Sequence, residues 1–272
     1  MTDVSGILPP DARTTYEADG FVQAGRLLTD AEADALAAVI ADMADDEAHP
    51  DHDRLYDMGV DGQPLLHLKN MWAQHPAFSE VIHRPEIAQI LYALTGRRRH
   101  RLWQDGFFYK PPRTGSAHAW HQDLRRIPVA PGAIGTGVWL ALSDVSDPST
   151  GPMRLLAGSQ HRTIPTAWLD HPPLPEPDRA PAEPFLEGTH AVTATMAKGS
   201  VHVHDGWVLH GSTRNTSELA RCGLLLFFVD GDVELDPTHP DAGQAPEARC
   251  GVWDPSLHPM VEADDDHPDA AT

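Results

Sequence analysis

The segment His118-Ala119-Trp120-His121-Gln122-Asp123 sets an imidazole and a carboxylate two positions apart, at His121 and Asp123. On an extended strand that spacing turns both side chains to one face, where a ring nitrogen and a carboxylate oxygen converge on a single cation. With 17 histidines and 40 acidic residues in the chain, such a pair arises readily by chance and gains meaning only from a third ligand. His210 is the candidate. On a neighbouring strand it completes a facial set of two imidazoles and one carboxylate, the donor set associated with non-haem Fe(II) oxygenases, which leaves three coordination positions open. Arg221 follows eleven residues later, at the head of the apolar run Gly223 to Val229. An Arg beginning a strand whose neighbour holds His210 offers a planar guanidinium to a dicarboxylate, in bidentate contact at the far end of a metal-bound keto acid. The plainer reading of the same residue is a surface Arg flanking a strand. His202 and His204 alternate with valines on one strand face and read as packed or rim residues, His204 also as a candidate substrate contact.

Elements able to position these groups are visible in the pattern. Gly20 to Val22 reads as a short strand. A helix follows, started by the capping box of Thr29 and Glu32 and carrying the apolar stripe Leu36, Val39, Ile40 and Met43. A second helical stretch runs from Pro76 to Leu94, broken or kinked at Pro85 and ended by Gly96. After Arg97 the signal changes to short apolar runs separated by Gly, Pro, Asp and Ser: Arg101 to Tyr109, Gly137 to Leu142, Met153 to Ala157, Ala191 to Met196, Val201 to His204, Trp207 to Leu209 and Gly223 to Val229. That spacing predicts a sandwich or barrel rather than a doubly wound sheet. The six prolines between His171 and Pro184 predict an irregular loop, a candidate lid with Trp168 at its entrance. From about Pro255 the tail reads as a solvated, frayed end.

Composition narrows the classes of partner. Twenty Lys and Arg against 40 Asp and Glu leave a formal charge of -20, which argues against an electrostatic nucleic-acid footprint and against anionic membrane surfaces. No secretory start and no run of about 18 apolar residues is present. Two cysteines, Cys222 and Cys250, make neither a disulfide framework nor a Cys-x-x-Cys pair, so a reducing cytoplasm is expected. The expected partner is a small molecule, with the protein a monomer or homodimer.

The strings Trp120-His121-Gln122-Asp123, Gly137-Val-Trp139-Leu-Ala-Leu-Ser-Asp144, Gly151-Pro-Met-Arg-Leu-Leu-Ala-Gly158-Ser159-Gln-His161 and His210-Gly-Ser212, with Asn215 and Arg221, resemble the phytanoyl-CoA dioxygenase family of Fe(II)/2-oxoglutarate-dependent oxygenases. The likeness covers most of the chain. It implies a mainly β fold with packed helices, a double-stranded β-helix (jelly roll, cupin-like). It implies a single oxygenase domain over 1–272: a mainly helical part to residue 100, a jelly-roll core over 101–235 and a C-terminal extension over 236–272. By the same resemblance His121, Asp123 and His210 bind Fe(II), and Arg221 pairs with the distal carboxylate of 2-oxoglutarate. Ser212 assists that carboxylate, Trp139 flanks the cosubstrate and Gln104 contacts it. Lys110 matches a recurrent position but reads equally as a strand-end Lys.

The cofactors implied are Fe(II), 2-oxoglutarate and O2, with ascorbate as a candidate reductant. The expected outcome is hydroxylation of an unactivated C–H bond with release of succinate and CO2, or desaturation, epimerisation or cyclisation where the substrate geometry delays hydroxyl rebound. The acidic balance, with no peroxisomal tripeptide at the end, speaks against a coenzyme A thioester as substrate, and Asp123 in place of a small residue speaks against halogenation. Two other readings compete: a non-catalytic cupin-like binding module, and a zinc or nickel site with hydrolytic or isomerising chemistry, in which Arg221 has no purpose.

Overall fold

The computed structural model describes residues 2–45, 55–59, 62–170 and 180–264. In chain order these form α1 (Ala12–Asp19), β1 (Phe21–Arg26), α2 (Asp30–Asp45), β2 (Tyr56–Asp57), β3 (Leu66–Lys69), α3 (Pro76–Ile82), α4 (Pro85–Thr95), β4 (Arg99–Lys110), β5 (His118–His121) and β6 (Gly135–Ala141). The second half adds β7 (Met153–Ala157), α5 (Thr166–Asp170), β8 (His190–Ala194), β9 (Ser200–Asp205), β10 (His210–Ser212), β11 (Arg221–Asp230), α6 (Pro246–Cys250) and β12 (Met260–Glu262). Among the described residues no helix is long and apolar enough to cross a membrane.

The helical signals act as local chemistry dictates. Glu32 accepts from the Thr29 backbone N–H at 2.7 Å and Thr29 Oγ1 from the Glu32 N–H at 3.3 Å, which closes the capping box and starts α2. Pro85 has no N–H for a helical ladder, so the Pro76–Leu94 stretch divides into α3 and α4. Gly96 ends α4 at φ 71°, the left-handed conformation that favours glycine.

All strand pairs are antiparallel. A large sheet runs β1-β9-β6-β11-β4-β3-β2 with β12 also on β4, and a small sheet runs β5-β10-β7-β8. The two face each other as a double-stranded β-helix: Trp139 and Leu225 of the large sheet pack in one cluster with Met153, Leu155 and Ala194 of the small one. Alternate residues of the same strands, among them Val138, Leu140, Val203, Leu224, Leu226 and Phe228, point outward into a second core formed with α1 to α4. Burial on both faces explains why β11 is an unbroken apolar run rather than an alternating one.

Two expectations are corrected. Trp207 to Leu209 is not a strand: the Asp205 carboxylate accepts from the Trp207 N–H at 2.7 Å and turns the chain from β9 into β10, which begins at His210. The tail from Pro255 does not fray at once. His258 is buried, donates from Nδ1 to the Leu102 carbonyl at 3.1 Å and stacks on Trp103, and this delivers β12 to the edge of β4. The lid expectation for 171–184 falls largely on 171–179, outside the described residues.

Candidate metal centre

His121 closes β5 and His210 opens β10, directly opposite each other across the ladder. Asp123 reaches them by a route other than strand alternation. The strand ends at His121, and Asp123 has helical backbone angles, φ -66° and ψ -50°, at the start of a tight turn over Leu124–Arg126. That turn brings its Oδ1 to 3.3 Å from His121 Nε2 and 3.7 Å from His210 Nε2. One ligand atom from each of the three residues lies within 4.8 Å of the others.

The donor set fits a divalent cation. His121 donates from Nδ1 to the Ala119 carbonyl at 2.7 Å, and His210 from Nδ1 to the Val208 carbonyl at 3.1 Å. A carbonyl only accepts, so both rings carry a proton on Nδ1 and turn Nε2 toward the carboxylate, the arrangement a metal-binding imidazole needs. Burial pushes the Asp123 carboxyl up, but His210, His121 and His204 around it hold it well below the usual carboxylate range. Burial and the neighbouring His121 push His210 down to about 3, so it presents a lone pair. Burial works against a charged His121 too, yet the Asp123 carboxylate raises it, and a bound cation would displace that shared proton.

These groups open onto a cavity of about 510 Å³ whose lining brings together the seven residues expected to meet iron or cosubstrate: His121, Asp123, His210, Ser212, Trp139, Gln104 and Arg221. Arg221 is 3% exposed, stacks 4.7 Å above the Trp139 ring, and leaves its Nε without a hydrogen-bond partner. Burial pushes the guanidinium down to about 10. One expectation about it is overturned: β11 lies between β4 and β6, not beside the strand of His210. The guanidinium therefore comes from the large sheet and the three candidate ligands from the small one or its flanking turn, on opposite sides of the cavity. A Cβ at Gly223 would lie 2.1 Å from the Trp139 indole, so the glycine is what lets that ring lie flat between strands.

Lys110 is fully buried and donates to Ser212 Oγ at 2.7 Å and to the Thr213 carbonyl at 2.5 Å, which makes it more than a strand-end Lys. The Asn215 side chain donates to the Lys110, Pro111 and Leu219 carbonyls and ties the link from β10 to β11 to the end of β4. Gln104 reaches the cavity through a register shift: Phe227 pairs with Gln104 and Phe228 with Leu102, so Trp103 and Gln104 both line it. Leu169, not Trp168, lines the cavity from α5, and Arg125 of the ligand turn donates to Asp170 at 2.7 Å on the same helix. Sequence reasoning missed His67, Lys69 and Phe108 on the cavity wall. His202 and His204 are packed, as expected; His204 is not among the lining residues, and its Nε2 lies instead 3.1 Å from Asp123 Oδ2.

A jelly roll with a His/carboxylate/His cluster facing a buried, unpaired guanidinium defines a class of non-haem metal oxygenase sites. The chain belongs to the phytanoyl-CoA dioxygenase (PhyH) family, whose model matches residues 16–223, and so to the Fe/2-oxoglutarate-dependent oxygenases. Among solved structures it is similar to the non-haem α-ketoglutarate-dependent carbocyclase SnoK from nogalamycin biosynthesis, at 21% identity and TM-score 0.75, covering 93% of this chain and 96% of that one. The epimerase SnoN of the same biosynthesis aligns at 20% identity and TM-score 0.68, over 84% and 85% of the two chains. EctD from S. alaskensis, solved with 2-oxoglutarate and 5-hydroxyectoine, aligns at 18% identity and TM-score 0.67, over 87% and 80%. At these identities the structural likeness is one of fold. Comparison with curated protein sequences returns no match.

Proposed function

We propose that the protein is an Fe(II)/2-oxoglutarate-dependent dioxygenase acting on a C–H bond of a discrete small molecule, with hydroxylation as its default outcome. The observation that carries this reading is the guanidinium of Arg221. It is buried and faces the same cavity as the triad, and no carboxylate among the described residues pairs with it. An uncompensated buried cation is costly unless a ligand supplies the anion. A metal site serving hydrolysis or isomerisation has no use for it.

His121, Asp123 and His210 would hold the iron. When bound, iron with 2-oxoglutarate and O2 supplies an oxidant able to take hydrogen from carbon, with succinate and CO2 as coproducts. The remaining work belongs to the chain. Arg221 and Ser212 receive the distal carboxylate, Lys110 orients the Ser212 hydroxyl, Trp139 holds the guanidinium plane from one face, and Gln104 meets the cosubstrate from β4. Phe108, Trp103, Leu65, Met58 and Leu169 supply an apolar wall that orients substrate and excludes water.

A second outcome from the same site is favoured by SnoK and SnoN, a carbocyclase and an epimerase: cyclisation or epimerisation in natural-product tailoring. The deciding experiment loads the metal-free protein anaerobically with Fe(II) and 2-oxoglutarate, adds O2, and scores succinate released with and without a panel of small polycyclic and amino-acid-derived candidates. Iron-dependent succinate, stimulated by a candidate, is the expected result. Failure of 2-oxoglutarate to bind or turn over with iron present removes the proposal.

A further inference from the structure

Asp123 has two carboxylate oxygens, and the protein treats them differently. Oδ1 faces His121 and His210 within the ligand cluster. Oδ2 turns to the large sheet, where His204 on β9 places Nε2 3.1 Å away. The His204 side chain is 0% exposed, and its Nδ1 has no partner. The ring therefore has one hydrogen bond to make. A carboxylate only accepts, so Nε2–H donates to Oδ2.

The ring is held there from two sides. Gly137 on β6 is its direct cross-strand partner, and a Cβ at 137 would lie 2.4 Å from both Cε1 and Nε2 of His204. The imidazole thus occupies the space that any side chain at 137 would need. On its other side the buried His202 ring stacks at 5.4 Å and 29°.

We propose that His204 is a positioning residue that keeps Asp123 a one-oxygen ligand; the proposal rests on reading the triad as the metal centre. A carboxylate with both oxygens free can chelate a cation through the pair. A charge-assisted hydrogen bond to Oδ2 fixes the plane of the carboxylate and leaves Oδ1 to the metal. A facial triad is useful because it leaves positions open, and a second oxygen from Asp123 would fill one of them. His204 thereby reserves a position for the cosubstrate or oxygen without touching either.

The test uses metal-free protein titrated anaerobically with Co(II), whose visible spectrum reports coordination number. His204→Phe fills the volume and removes the donor. Gly137→Ala drives the ring off Oδ2 while leaving His204 and all three ligands in the sequence. His204→Gln restores an N–H donor. The expected result is a Co(II) spectrum shifted toward higher coordination in His204→Phe and Gly137→Ala alike, with affinity weakened on the order of 10- to 100-fold, and a return toward wild type in His204→Gln. If His204→Phe does not fold, as judged by thermal unfolding without metal, Gly137→Ala carries the same comparison. Wild-type spectrum and affinity in whichever of the two folds overturns the role of His204. The control is His121→Ala: Co(II) binding as tight as wild type there overturns the metal-centre reading itself, whereas loss there with no change in the other two overturns the present proposal alone.

Discussion

Replacing Arg221 with Met should make the empty protein more stable and deprive it of its cosubstrate. The guanidinium is 3% exposed, and burial pushes it down to about 10 from its ordinary 12.5. A group whose protonated form is disfavoured by folding destabilises the native state at every pH below its folded value. Here the shift of about 2.5 corresponds to about 3 kcal/mol at neutral pH. Stacking on Trp139 at 4.7 Å returns roughly 0.5 to 2 kcal/mol of this. Met fills similar volume without charge, so Arg221→Met should gain about 1 to 2 kcal/mol, a rise of a few degrees in Tm for a chain of this size. With 2-oxoglutarate the order reverses. Saturation at about 100 times Kd stabilises the wild type by roughly 2.7 kcal/mol. The variant loses a buried charge-assisted contact worth about 2 to 5 kcal/mol and gains little from the same concentration. The assay is thermal unfolding at pH 7.5 with Mn(II) in place of iron, with and without 2-oxoglutarate. A variant less stable than wild type without cosubstrate would mean the guanidinium is satisfied in the empty site. An equal 2-oxoglutarate shift in both proteins would place the distal carboxylate elsewhere.

Further perturbations separate the parts of the site. His121→Ala, Asp123→Ala and His210→Ala should each abolish iron-supported 2-oxoglutarate turnover while circular dichroism stays native, because the three supply one ligand atom each with none to spare; retained turnover in one removes that residue from the triad. Lys110→Met removes the donor that orients Ser212 Oγ and should weaken 2-oxoglutarate by about 1.5 to 3 kcal/mol, read as a raised KM with iron affinity unchanged. Burial pushes the Asp105 carboxyl up to about 6, against the Trp72 N–H and other backbone donors that lower it. Its folded value lies above its unfolded one, so its share of stability is greatest below about pH 4 and is lost, by about 3 kcal/mol, as pH rises through 6. Urea unfolding at pH 4.5 and 7.5 should show that slope in the wild type and its absence in Asp105→Asn.

What the sequence displays and what it hides divide along one physical line. Helix caps, the break at Pro85 and the apolar runs of β4, β6, β7, β9 and β11 are local, so residue type and period reveal them. The strings around His121, His210 and Arg221 are also local and carry the family resemblance. Everything that depends on which strand lies beside which is not. Asp123 was expected to share a strand face with His121, but its approach is set by a turn whose Leu124 N–H donates to the Gly206 carbonyl across the molecule. Gln104 faces the cavity because β4 carries an extra residue against β11, and no period of two predicts a register shift. His204 shows the limit most plainly. Its alternation with Val201 and Val203 is that of any strand residue with one face inward. What distinguishes it is a missing side chain on another strand, at Gly137, its partner in the ladder. A glycine in a strand is read from sequence as a weakness in that strand. Here it is room made for a ring that the same sequence introduces only three strands later in the chain, with its Nε2 turned to Asp123 Oδ2.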